Sequence, residues 1–257
     1  MGNAKEKIRF MSQSSTPIKS GSIYILHGWT YSKDKWPPLV SLLKKRGLTP
    51  ILLDIPGLTG EINKPWDIED YNNWLYKKLE KDLPAGRQEK IILIGHSNGG
   101  RIVLNFAIKH PEKISKLILI DSAGIYRKDI FLRIKRTVFK AMAKIGKILL
   151  PLEIAKSLLY FLAREKDYKN ASPNMKKTML NLIGSDKALK VDRISVPTII
   201  IWGQNDGVTP VSDGKILNAK IKNSRLFLVK GGRHSPQFTH PKEVVRIIVE
   251  QLNNIAM

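Results

Sequence analysis

The 257-residue chain carries 44 Lys plus Arg against 22 Asp plus Glu, a net charge of +22, with 42% hydrophobic residues and no cysteine. Such a length and composition describe a folded body that buries a sizeable core, and exclude a peptide-sized scaffold or a disordered chain as the carrier of the charge. The absence of cysteine excludes disulfides, thiolate zinc sites, iron–sulfur ligation and thiol nucleophiles.

The first residues, Met1 to Ser15, are polar and charged and contain no apolar stretch of the roughly 7 to 15 residues that a secretion signal needs. Later apolar runs fall far below the ~18 to 20 residues that span a bilayer. The expectation is a soluble, cytoplasmic protein.

Six short apolar runs then alternate with amphipathic stretches. Ile23 to Leu26 is followed by His27-Gly28-Trp29 and a helix over Trp36 to Arg46. Ile51 to Asp54 precedes a Pro56-Gly57 turn and a helix over Tyr71 to Lys81. Ile91 to Ile94 leads through Gly95-His96-Ser97-Asn98-Gly99 into a helix over Asn98 to Lys109, and Leu117 to Asp121 follows. After a long interval come Thr198 to Trp202, a turn holding Asp206, and a helix over Ser212 to Ile221. Leu226 to Val229, a glycine-rich loop holding His234, and a helix over Lys242 to Asn253 complete the chain. Short, uniformly apolar runs suit strands buried on both faces, and alternation with helices implies crossover connections in a mostly parallel sheet flanked by helices. The fold class is α/β.

Between Asp121 and Pro197 the patterns are helical only, which predicts an inserted helical cap over residues 125–190 on a core of residues 1–124 and 191–257. Its first helix, Asp129 to Leu150, sets Phe131, Ile134, Val138, Met142, Ile145 and Leu149 on one face and a row of Lys and Arg on another. A second, Ile154 to Ala163, is nearly all apolar, and a third starts at Ser172-Pro173. Leu158, Phe161, Leu162, Met175, Met179 and Phe238 are candidate lining for a substrate pocket, with plain core as the alternative reading.

Gly95-His96-Ser97-Asn98-Gly99 is a G-x-S-x-G elbow in the strand, turn, helix context that gives the motif its meaning. A serine on so sharp a turn projects its Oγ from the carboxyl edge of the sheet, with Gly95 and Gly99 supplying space. A serine nucleophile needs a base and an orienting acid. His234 and Asp206 stand late in the chain in the required order; Asp121, at another strand end, competes for the acid, and an Asx turn is the alternative for Asp206. A tetrahedral intermediate also needs two backbone donors, for which Asn98 and Trp29 are the candidates, with Gly28 allowing close approach. His96, His110 and His240 read as structural. No histidine pair has metal-ligand spacing, so a metal is not expected.

These motifs together resemble the α/β-hydrolase fold superfamily, in its cap-bearing branch of serine esterases and related hydrolases, from about Ser22 to Asn253. The resemblance implies ester cleavage through an acyl-enzyme without any cofactor, with a carboxylesterase of short- to medium-chain preference as the first reading. A lactonase, a carbon–carbon bond hydrolase or a perhydrolase would use the same triad. The family usually opens with two additional strands, so an abbreviated N-terminal edge is expected. A reading of another class takes the basic surface as a binder of anionic membrane or nucleic acid. Residues Arg127 to Lys190 hold 16 basic against 5 acidic residues, half of the net surplus. Aromatic platforms and nucleic-acid motifs are lacking, so a small ester is the expected partner, with weak electrostatic association with anionic surfaces and no specific nucleic acid.

Overall fold

The computed structural model describes residues 22–29, 32–82, 89–126 and 171–253. Among these, six strands form one sheet: β1 (Ile23–Leu26), β2 (Pro50–Leu52), β3 (Ile91–His96), β4 (Ile114–Ile120), β5 (Thr198–Gly203) and β6 (Ser224–Val229). The order is β2-β1-β3-β4-β5-β6, with every pair parallel. All six apolar runs therefore form strands. The first two expected cap helices and the N-terminal edge fall outside the described residues.

Period-two alternation divides the strand side chains between two cores. On one face, Ile23, Ile25, Ile92, Ile94, Ile118, Ile120, Ile199 and Ile201 pack against α1 (Pro37–Lys44). The C-terminal helix α7 (Pro241–Asn253) adds Val244, Val245 and Ile248 to that layer. On the other face, Tyr24, Leu26, Leu93, Leu117, Leu119, Ile200 and Trp202 meet α2 (Ile68–Asp82) and α3 (Asn98–Lys109). Two more helices cover that face, α4 (Pro173–Ser185) through Met175 and Leu182, and α5 (Val211–Lys220) through Leu217. A short helix, α6 (Pro236–Thr239), joins the His234 loop to α7.

The expectation of strands buried on both faces needs correction at the two edges of the sheet. Leu226 to Val229 reads as a strand buried on both faces, yet β6 lies at the sheet edge with Leu228 42% exposed, and on the opposite edge Ile51 is 40% exposed. An edge strand has one neighbour, so its outer side chains lack the cover that a central strand receives. Lys116, inside β4, is buried; its Nζ donates to the Gln251 carbonyl at 2.8 Å, closing the last turn of α7, and burial lowers its pKa.

The connectivity positions the site. From β1 the chain steps outward to β2 and then returns past β1 to β3, so the loops after β1 and β3 diverge at the carboxyl edge. A crevice at such a reversal is where open α/β sheets hold ligands. No described helix is long and apolar enough to cross a membrane.

Candidate active site

Ser97 stands between β3 and α3 with φ 52° and ψ −118°, a strained left-handed conformation for a residue bearing a side chain. Backbone bonds hold the turn: Ser97 N–H donates to Ile120 O at 3.2 Å, and Ala123 N–H donates to Ser97 O at 2.9 Å. The space requirement read from the motif is met at close range. A Cβ on Gly99 would lie 2.5 Å from the His27 carbonyl oxygen, and one on Gly95 would lie 2.7 Å from Gly100 Cα. Across the crevice, a Cβ on Gly28 would come within 3.0 Å of Ser97 Cβ, so the loop after β1 lies directly against the serine. His27 Nδ1 donates to the Gly28 carbonyl at 2.8 Å and stiffens that loop.

His234 comes from the loop after β6. That loop is set against the end of β5 by Asn205 N–H donating to Gly232 O at 2.8 Å, and is turned back on the end of β6 by Gly232 N–H donating to Val229 O at 3.1 Å. His96 Nε2 donates to the His234 carbonyl at 3.0 Å, and the two rings lie 5.3 Å apart. His96 is thus a structural histidine, as its place in the elbow predicts, and it fixes the position of a second one.

The three side chains meet in one line. His234 Nε2 is 3.0 Å from Ser97 Oγ, and His234 Nδ1 is 2.8 Å from Asp206 Oδ2. An ionised carboxylate only accepts, so Nδ1 carries the proton and, in the neutral ring, Nε2 accepts from the serine hydroxyl. Ser97, Asp206 and His234 are each less than a tenth exposed, at 7%, 7% and 6%. Asp206 is held by a cage of donors: Val208 and Thr209 N–H to Oδ1 at 2.7 and 3.0 Å, and the Thr209 hydroxyl to Oδ2 at 2.7 Å. Both expectations for this residue hold together, since the Asx turn is what aims the second oxygen at the imidazole.

Asp121, the competing acid, plays another part. Its Oδ1 accepts from Gly203 N–H at 2.8 Å and ties the ends of β4 and β5 together. Asp121, Asp206 and His234 do place ligand-type atoms within 4.8 Å of one another. A cation bound by His234 there would have to displace the Nδ1 proton that already bridges to Asp206, so the group is arranged for proton transfer.

Of the candidate pocket residues, Met175 is buried in the core against the Gly57 turn, and Met179 packs at the margin of that core. Phe238 stacks edge-on against Trp36 at 5.3 Å, lies 6.1 Å from His96, and packs against the core that α1 and α7 cover. Leu158, Phe161 and Leu162 lie outside the described residues. Trp29 is nearly buried at 9%, directly after Gly28. Asn98 is the first residue of α3, where helix geometry leaves backbone N–H groups without intrahelical partners.

Three residues that the motif reading passed over also shape the site. Thr209 contacts Asp206 and lies 3.2 Å from His234 Nδ1. Arg101 and Asp186 form a buried pair beside Asn98: Arg101 Nε and Nη2 donate to Asp186 Oδ1 and Oδ2 at 2.6 and 2.9 Å, and Nη1 donates to Asn98 Oδ1 at 2.5 Å. Thr209 had a local signal, the Asp-x-x-Thr spacing of a turn. The partnership of Arg101 with Asp186 had none.

Residues 21–241 match the family described as alpha/beta hydrolase fold. The chain is 27% identical over 262 residues to the human monoacylglycerol lipase ABHD6, covering 93% of this chain and 77% of that protein. It is 26% identical over 231 residues to the pimeloyl-[acyl-carrier protein] methyl ester esterase of Legionella pneumophila, covering 85% and 89%. Its fold is that of a thermophilic esterase from Thermogutta terrifontis, with a TM-score of 0.69 and 22% identity over 93% of this chain and 92% of that one.

Proposed function

This chain belongs to the alpha/beta hydrolase fold family, and from that premise we propose that it is a carboxylesterase of short- to medium-chain preference. Cleavage of an ester by a serine hydrolase mechanism is what the family and the triad together support. One observation carries the reading: the continuous line from Ser97 Oγ through both nitrogens of His234 to Asp206 Oδ2, at 3.0 and 2.8 Å.

In the proposed cycle His234 Nε2 takes the Ser97 proton as Oγ attacks the ester carbonyl. The tetrahedral oxyanion is stabilised by the Asn98 and Trp29 backbone N–H groups, the first at a helix N-terminus and the second in the loop against the serine. His234 returns the proton to the leaving alcohol, and the acyl group stays on Ser97. Water, deprotonated by the same nitrogen, then attacks the acyl carbonyl, and His234 gives that proton to Ser97 Oγ as the acid leaves. Asp206 keeps the imidazole in the productive tautomer and balances its charge when protonated. No step needs a metal or a cofactor. Residues 1–124 and 191–257 make the core and residues 125–190 the cap, which sets the acyl preference, with Met175, Met179 and Phe238 as described pocket candidates.

A panel of p-nitrophenyl esters of increasing acyl length, with a lactone, a carbon–carbon cleavage substrate and a perhydrolysis assay, tests the assignment. Turnover greatest on the shorter esters and lost in Ser97→Ala supports it. Ester turnover that survives in Ser97→Ala refutes the mechanism, and a preference for lactones or carbon–carbon bonds refutes the substrate class.

A further inference from the structure

Asn98 has to present its backbone N–H to substrate while carrying a side chain that competes for that same group. Asn98 is the first helical residue, directly after the N-cap Ser97, and an asparagine there can turn its Oδ1 onto its own or a neighbouring unpaired backbone N–H. An acceptor oxygen placed so would consume donors that an oxyanion needs.

The structure assigns the prevention of this to Arg101 and Asp186, positioning residues that hold the Asn98 side chain away from the oxyanion site. This inference rests on the role proposed above for Asn98. Arg101 lies one turn further along α3, and its guanidinium has donors only, so the atom that faces Nη1 at 2.5 Å is Oδ1 of Asn98. The orientation of the amide is therefore set, with its acceptor occupied. Arg101 is itself immobilised by the two bonds to Asp186, and both side chains are less than a tenth exposed. An ion pair serving stability alone needs only those two contacts. The third donor goes to the residue that follows the nucleophile.

Asp186 gives the bridge its reach, because it is the C-cap of α4, the third of the helices expected between Asp121 and Pro197. α4 is fastened to the loop after β2 by Asn174 Nδ2 donating to Ile62 O at 3.0 Å, Asn181 Nδ2 donating to Trp66 O at 3.0 Å, and Trp66 N–H donating to Thr178 Oγ1 at 2.8 Å. The Asn98 amide is thus referenced to a rigid frame outside α3.

The test is a kinetic cycle on a p-nitrophenyl ester whose turnover has first been found to depend on Ser97. Arg101→Met combined with Asp186→Leu replaces the ion pair by apolar groups, an exchange that buried pairs generally tolerate without loss of fold. The expected result is a fall in kcat of about tenfold to hundredfold with KM changed less than about threefold, since the damage is to transition-state contacts. The same pair of substitutions made in an Asn98→Ala background should cause no further fall, because the competing oxygen is gone. If the apolar pair does not fold, Asp186→Asn, which keeps shape and one acceptor, should show a smaller fall that likewise vanishes with Asn98→Ala. An unchanged kcat, or a fall of equal size in both backgrounds, overturns the inference while leaving the triad intact. Survival of ester turnover in Ser97→Ala overturns the functional reading instead.

Discussion

Replacing Asp206 by asparagine changes one atom and should abolish nearly all activity, for a reason written into the surrounding hydrogen bonds. Val208 and Thr209 N–H both donate to the δ1 position at 2.7 and 3.0 Å, so the amide oxygen of Asp206→Asn must take that seat. The NH₂ group then occupies the δ2 seat, 2.8 Å from His234 Nδ1 and 2.7 Å from the Thr209 hydroxyl, which can accept from it. Shape and packing are kept. The NH₂, however, donates into Nδ1 and drives the ring proton to Nε2, which faces Ser97 Oγ at 3.0 Å and can no longer accept. A trapped tautomer of this kind lowers kcat about 10⁴-fold in a serine-protease triad, or roughly 5.5 kcal/mol of transition-state stabilisation. The assay is kcat and KM for a p-nitrophenyl ester at neutral pH, with Asp206→Ala and Asp121→Asn in parallel. Asp206→Ala, which leaves Nδ1 free to keep its proton, should be at least as active as Asp206→Asn. Asp121→Asn should lose far less, since its Oδ1 serves Gly203 N–H. Activity of Asp206→Asn within about tenfold of wild type, or a larger loss in Asp121→Asn, would refute the assignment of the acid.

Gly99→Ala should destabilise the protein by several kcal/mol, above the usual ~1–3 kcal/mol of overpacking, because the added methyl meets backbone carbonyls of Leu26 and His27 that cannot rotate away; a melting temperature within about 2 °C of wild type contradicts the tight elbow. Tyr71 is fully buried, donates to Pro56 O at 2.9 Å, and has its pKa raised by burial, so it stays protonated where the unfolded chain ionises. The unfolded state then binds fewer protons, and stability falls as pH rises above about 10, by up to about 1.4 kcal/mol per pH unit from this group. Urea denaturation across that range should show a shallower fall in Tyr71→Phe; an identical slope contradicts the assignment. The basic surplus between Arg127 and Lys190 should favour anionic over neutral esters at low salt, with the advantage fading as salt is added. A preference that salt leaves unchanged argues against electrostatic attraction.

The strands and the triad were legible because their signals are local. Each strand is a run of four or so apolar residues, and Ser97, Asp206 and His234 each sit in a turn whose glycines or Asx chemistry is visible in a short window. The order of the three in the chain then tied the windows together. What escaped notice depends on partners distant in sequence. Arg101 and Asp186 are 85 residues apart and look, in the chain, like an ordinary helix-surface cation and a loop acid. Burial inverts that reading only once α4 is seen against α3. The exposure of Leu228 was illegible for a related reason: an apolar run announces a strand, whereas its place at the centre or edge of a sheet depends on every other strand. Lys116 was hidden because a lysine just before an apolar run gives no sign of the carbonyl that waits for it at the end of α7.

The acyl-enzyme itself offers the most direct test of the chemistry. A short ester with a good leaving group is mixed with the protein, quenched in acid within the first turnover, and the digest examined by mass spectrometry. The line through Ser97, His234 and Asp206 requires an added acyl mass on the peptide that carries Ser97, and its absence in Ser97→Ala. Full ester turnover with no adduct at Ser97, or an adduct on another side chain that turns over at the catalytic rate, would contradict it.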